Sequence, residues 1–205
     1  MKPDFERCKE LATITLLMAD DVVAFPFDPR EIRYAHDIMF ISMQHYCRSV
    51  GVPLSSIMPG GFFKDGFNVI HAADQALIFY NEEVDSPGRF NWTLGHELGH
   101  VLLEHKQDGD IEEVEAHFFA ANFYMPDDII CELAARGTPI TQAALMNIFG
   151  VSSYAAAKKM NYLRRTRRNL GPSEYSSHMI EKFHDFIRYN TPFQYDIDLK
   201  FVLDF

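Results

Sequence analysis

One stretch, Thr93-Leu94-Gly95-His96-Glu97-Leu98-Gly99-His100-Val101-Leu102-Leu103, constrains this chain more than any other. It carries His-Glu-x-x-His within a helical pattern. Residues four apart on a helix lie about 40° apart in azimuth and one turn apart in height. His96 and His100 therefore present two imidazoles to one point, as a tetrahedral zinc ion requires. Glu97 stands beside the first of them, where it can act as a base on water in the metal's open position. Leu94, Leu98, Val101 and Leu102 form another face, which anchors the helix in a core. The plain alternative is an amphipathic helix with two incidental histidines, since short motifs match by chance. Gly95 and Gly99 speak against it. Each costs about 1 kcal/mol relative to Ala inside a helix, so the pattern predicts a close approach by another element that offsets the cost.

A length of 205 residues suits one domain, or one domain with a small appendage. An apolar fraction of 47% excludes global disorder, and a net charge of −10 argues against a generally nucleic-acid-binding surface. Cys8, Cys47 and Cys131 are widely spaced and form no CxxC pair, so reduced thiols and a cytoplasmic location are expected. The N-terminus lacks a signal-peptide pattern, and no apolar run reaches the ~18 residues of a membrane span.

Along the chain, apolar positions at helical spacing predict a helix over residues 4–20. Asp28-Pro29-Arg30-Glu31 reads as a capping box that starts a helix running to Ser49 and closed by Gly51. Residues 52–64, with Gly60-Gly61, read as loop. Phe67–Ala72 and Ala76–Asn81 read as a hairpin around Ala73-Asp74-Gln75. The histidine helix is expected from Asn91 to His105. Further helices are expected over Asp110–Met125, Asp127–Arg136, Thr141–Phe149, Ser152–Arg168 and Glu174–Asn190. Asn169–Pro172 reads as a break, and the alternation in Phe193–Phe205 predicts a terminal strand. The expected organisation is α+β: a core over 1–137 and a helical part over 138–205, in one compact unit.

A catalytic zinc takes three protein ligands and keeps one position open. Glu113 and Glu115 both follow at short range. Glu113 shares its helix face with Ala116, His117, Ala120 and Ala121, small residues that allow close approach to the histidine helix. Glu115 shares its face with Phe118, Phe119 and Asn122, which would hold the backbones apart. This favours Glu113 as third ligand. The competing role for Glu113 is to close a capping box begun by Asp110. His117 could also lie near the metal, although an exposed helix histidine is the simpler reading.

These residues resemble the ImmA/IrrE family of metallo-endopeptidases. The resemblance rests on His96-Glu97-Leu98-Gly99-His100, on Glu113-x-Glu115-Ala116-x-x-Phe119-Ala120-Ala121 ending in Met125-Pro126, and on the lead-in Arg89-Phe90-x-x-Thr93. It spans about residues 66–168. It implies a zincin-like, gluzincin-type core and a helix-turn-helix repressor as protein substrate. With His96, His100 and Glu113 on zinc, Glu97 is the expected catalytic base. Tyr124, His178 and Tyr175 are candidates for a further oxyanion donor. A rival function lies in the pair of helices over 141–168. Lys158, Lys159, Arg164, Arg165, Arg167 and Arg168 place six of the 19 basic residues in eleven positions, against a formal −16 for the remainder. That asymmetry suits a non-catalytic module holding DNA or a repressor. A zinc hydrolase outside peptidase chemistry is a third reading.

Overall fold

In the computed structural model, which describes residues 2–35, 37–58, 65–72, 75–107, 109–166 and 172–192, the His-Glu-x-x-His stretch lies on α3 (Pro87–Leu102). The helix starts four residues earlier than expected. Ser86 caps it by accepting from the Arg89 amide, and Pro87 takes the first position, where its missing N–H costs nothing. Leu94 and Leu98 are fully buried, which contributes roughly 1.5–3 kcal/mol each.

α3 packs on α4 (Asp110–Tyr124) and on a three-stranded sheet. The small residues explain the first contact. A Cβ built on Gly99 would meet the Ala116 backbone at 3.2 Å and Phe119 Cδ1 at 3.0 Å. One built on Gly95 would collide with the Tyr124 ring. Ala116 and Ala120 are fully buried, as the face argument expected. Phe119 departs from that argument: it packs against Gly99 instead of holding the helices apart. Gly95→Ala gains about 1 kcal/mol of helix propensity. Overpacking against a buried ring costs about 1–3 kcal/mol, so a net loss of up to about 2 kcal/mol is expected in urea unfolding.

The sheet has order β1-β3-β2. β2 (Gly66–Ala72) and β3 (Gln75–Tyr80) pair antiparallel, with Phe67 opposite Phe79. β1 (Asp37–Ser42) runs parallel to β3. This corrects the helix expected from Pro29 to Ser49. Asp28 does cap, and Pro29 does start a turn, but only a 3-10 turn over Pro29–Glu31. Ile38 and Phe40 then pack on the main core, while Ile41 packs with Met43, Met58 and Phe79 in a second cluster. A segment with apolar side chains wanted on both faces is a strand, and this tertiary demand overrides the local helix signal. Ser42 caps the helix that follows, α2 (Met43–Val50), and Gly51 ends it at φ +71° as expected.

α1 (Phe5–Met18) lies on α4 and buries Cys8, Ala12 and Leu16. Lys182 Nζ reaches the C-terminal carbonyls of α1, donating to Leu16 at 2.7 Å and Ala19 at 2.6 Å. α5 (Asp127–Ala135), α6 (Gln142–Phe149) and α7 (Ser153–Thr166) follow, with Gly150 at φ +64° turning the chain between the last two. The helix expected over Glu174–Asn190 is two: α8 (Ser176–Lys182) and α9 (His184–Tyr189). Phe183 between them is fully buried and stacks on Phe25 at 4.9 Å, and Phe25 also meets Phe149 and Phe186. Gly60-Gly61, Ala73-Asp74, Arg167-Arg168, most of the 169–172 break and the strand expected over 193–205 lie outside the described residues.

Among the described residues no helix is long and apolar enough to cross a membrane. The three cysteines are free thiols. Burial, reinforced by Glu115, pushes the Cys8 thiol up to about 12, so it serves as core and not as a nucleophile.

Candidate metal centre

The end of α3 builds the site. Glu104 adopts φ +58°, the Glu104 amide donates to Val101 O, and the His105 amide donates to His100 O. This is a Schellman ending, and it folds residue 105 back over residue 100. The last turn of α3 meets the first turn of α4. His100 comes from the former and Glu113 from the latter. Gly109, not Asp110, caps α4, and no side chain completes a capping box. The Glu113 carboxylate instead faces the histidines, at the helix end whose dipole favours negative charge.

Three donor atoms converge. His100 Nε2 lies 3.2 Å from His96 Nε2, Glu113 Oε2 lies 3.4 Å from His96 Nε2, and Glu113 Oε1 lies 3.5 Å from His100 Nε2. Ligands at 2.0–2.1 Å from a tetrahedral zinc are separated by about 3.3–3.4 Å. The observed triangle fits that edge, and two imidazoles with one carboxylate are the donors zinc prefers. His117 joins the group: its donor, that of His96 and that of Glu113 lie within 4.8 Å of one another. His117 is also the exposed helix histidine of the simpler reading, so proximity to the cluster and exposure hold together. Trp92 Nε1 donates to His117 Nδ1 at 3.3 Å. Partial burial lowers the His117 pKa, with Glu113 opposing and Lys158 adding to the effect. A ring that accepts at Nδ1 and is neutral carries its proton on Nε2.

Glu97 sits one residue from His96 on α3, and its Oε2 accepts from Asn68 Nδ2 on β2 at 2.7 Å. β2 can approach this closely because residue 66 is glycine: a Cβ there would meet Thr93 Cγ2 at 2.6 Å. The conserved pattern for the IrrE N-terminal-like domain, peptidase family M78, matches residues 52–161. The chain belongs to this M78 peptidase family. No curated protein matches it. The M78 match includes α3, α4, β2 and β3, hence every residue of the donor cluster, and leaves α1, β1, α8 and α9 outside.

Behind the M78 cluster runs a second set of contacts. His100 Nδ1 lies 3.0 Å from His105 Nδ1, and His105 Nε2 lies 3.0 Å from Glu115 Oε2. Glu115 Oε1 accepts from the Asp4 amide at 2.6 Å, which ties the start of α1 to the site. A metal held by His100 Nε2 would leave the ring hydrogen on Nδ1, where it would be donated to His105 Nδ1. His105 would then donate from Nε2 to Glu115. Outer partners of this kind fix ring orientation and tautomer, and their loss costs 10–100-fold in metal affinity. His105→Ala should therefore weaken zinc binding by about that factor while still reaching one zinc per chain at saturation, read by competition with a chromogenic chelator.

The oxyanion candidates go elsewhere. Tyr124 is buried beneath Gly95 and donates to the Asn91 carbonyl. His178 is exposed on α8, which packs on α5 and α1. Tyr175 donates to Glu10 Oε1 at 3.2 Å. His105, Trp92 and Asn68 were not expected at the site. His105 had one legible signal, five positions after His100 and just past the end of its helix. Asn68 had none, because only the sheet's packing on α3 brings it there.

Proposed function

We propose that this M78 family member is a zinc-dependent endopeptidase with a zincin-like core and that its substrate is a helix-turn-helix repressor. The observation that carries the activity is the triangle of His96, His100 and Glu113 with Glu97 beside it. The substrate rests on the family resemblance alone. Bound zinc would supply Lewis acidity toward the scissile carbonyl and lower the pKa of its water to about 7. The chain's own groups do the rest. His96 and His100, through Nε2, and Glu113, through a carboxylate oxygen, would hold the metal. Glu97, steadied by Asn68, takes the proton of the attacking water on a carboxylate oxygen and delivers it to the leaving amine nitrogen. Among the described residues β2 is an edge strand, and it lies beside Glu97, so an extended peptide paired along it would pass next to the base. Chelation should abolish hydrolysis of the repressor, and stoichiometric zinc should restore it. Cleavage that survives complete zinc removal would end this reading.

The non-catalytic reading rests on the six basic residues over 158–168, four of which lie on α7. One of the six is not available: Lys159 is buried, 2.8 Å from Asp127 Oδ1 and 3.0 Å from Asn122 Oδ1. Lys158, Arg164 and Arg165 are exposed. Three phosphate contacts, or five with Arg167 and Arg168, give a slope of log K against log salt of about −3 to −5. Weak DNA binding that disappears near physiological salt is expected in filter binding across a salt series. Tight, sequence-selective binding there by the Glu97→Gln protein would favour the module over the peptidase.

A further inference from the structure

A cavity of about 400 Å³ opens between α4 and α7, directly beside the metal centre. His117 belongs to both: it lines the cavity, and its ring centroid lies 4.3 Å from that of His96. Trp92, which holds His117 by its indole N–H, forms part of the wall. Phe118 and Tyr162, edge-to-face with ring centroids 5.3 Å apart, form another part. The charges on this wall are all of one sign. No acidic side chain is among the described residues that line it, whereas Lys158 and Arg165 do so and are exposed. Lys159 also borders the cavity, but Asp127 neutralises it from behind. A positive rim stands out on a chain of net charge −10.

We propose that this cavity is a side-chain subsite of the peptidase, taking a large apolar residue next to the scissile bond with a carboxylate within two residues of it. The aromatic wall removes the apolar side chain from water, and Lys158 and Arg165 meet the acid. The volume admits a large side chain with room to spare, and the shared His117 places that side chain one residue's reach from the metal ligands. Selectivity of this kind would be read on the substrate strand itself, independently of any repressor fold around it. The proposal rests on the peptidase reading for the word substrate, but not for the binding event.

Trp92 is the chain's only tryptophan, so its emission reports occupancy of the cavity. The full-length Glu97→Gln protein, zinc-loaded, is titrated with three synthetic peptides identical except at two adjacent central positions: Phe-Asp, Ala-Asp and Phe-Lys. A saturable change in Trp92 emission is expected with Phe-Asp. Replacing Phe by Ala should weaken binding at least about tenfold, since a large side chain then leaves the apolar wall. Phe-Lys should bind more weakly than Phe-Asp, and Lys158→Glu with Arg165→Glu should reverse that order. Equal affinity for Phe-Asp and Ala-Asp, or an unchanged order after charge reversal, would overturn the subsite. Hydrolysis of the same peptides by the unsubstituted protein is scored separately. Selective binding without hydrolysis would count against the peptidase and for the subsite; hydrolysis without selectivity would count the other way.

Discussion

Glu97→Gln should leave about one zinc per chain and lower hydrolysis of the proposed repressor substrate by about 10²–10⁴-fold, the range that a positioned general base contributes. The substitution is nearly isosteric, and Asn68 Nδ2 can still donate to the glutamine carbonyl oxygen, so the side chain keeps its place. What it loses is a lone pair basic enough to accept the water proton. The three donor atoms of His96, His100 and Glu113 are untouched, hence the metal content holds. Elemental analysis paired with single-turnover cleavage separates the two effects. Loss of zinc together with activity would make Glu97 part of the ligand set. Retained activity would move the base elsewhere, and His117, whose ring sits at the same cluster, would be the first group to examine.

The site was more legible than the fold around it, and for a physical reason. The two histidines, Glu97 and Glu113 lie on two consecutive helices, where spacing alone sets direction. The glycines of α3 announced a close neighbour, and the alanines of α4 supplied it. β1 was illegible because its strand state comes from pairing with β3, a partner about 38 residues on, while the capping signal at Asp28 is local and real but runs out after one turn. The break at Phe183 is of the same kind: its cause is the Phe25 ring, far away in sequence. Lys159 shows the limit of counting charges, since a basic run looks solvated in sequence whether or not one member points at a buried aspartate. Tyr124 shows the limit of listing chemistry by residue type. It follows Glu113 on the same helix, yet its ring is spent under Gly95.

The ligand set is decided by the order of zinc affinities in single variants. Structural zinc sites hold the metal with about 10–16 kcal/mol over four ligands, so removing one ligand costs roughly 2.5–4 kcal/mol, or about 10²–10³-fold. His100→Ala and Glu113→Gln should each fall by that much. His100 has the smaller tolerance, because it is buried at 3% exposure and water cannot readily take its place. Glu113 is about half exposed, so its loss sits at the lower end of the range. Glu115→Gln tests the competing carboxylate. Its contact toward the site is with His105 Nε2, where a glutamine oxygen still accepts, while its contact with the Asp4 amide, away from the cluster, is given up. Zinc affinity should therefore change by less than about tenfold, less than after His105→Ala. If Glu115→Gln loses more affinity than Glu113→Gln, the carboxylates have been assigned the wrong way round, and the 3.4 and 3.5 Å contacts of Glu113 are those of a helix N-terminus and not of a ligand.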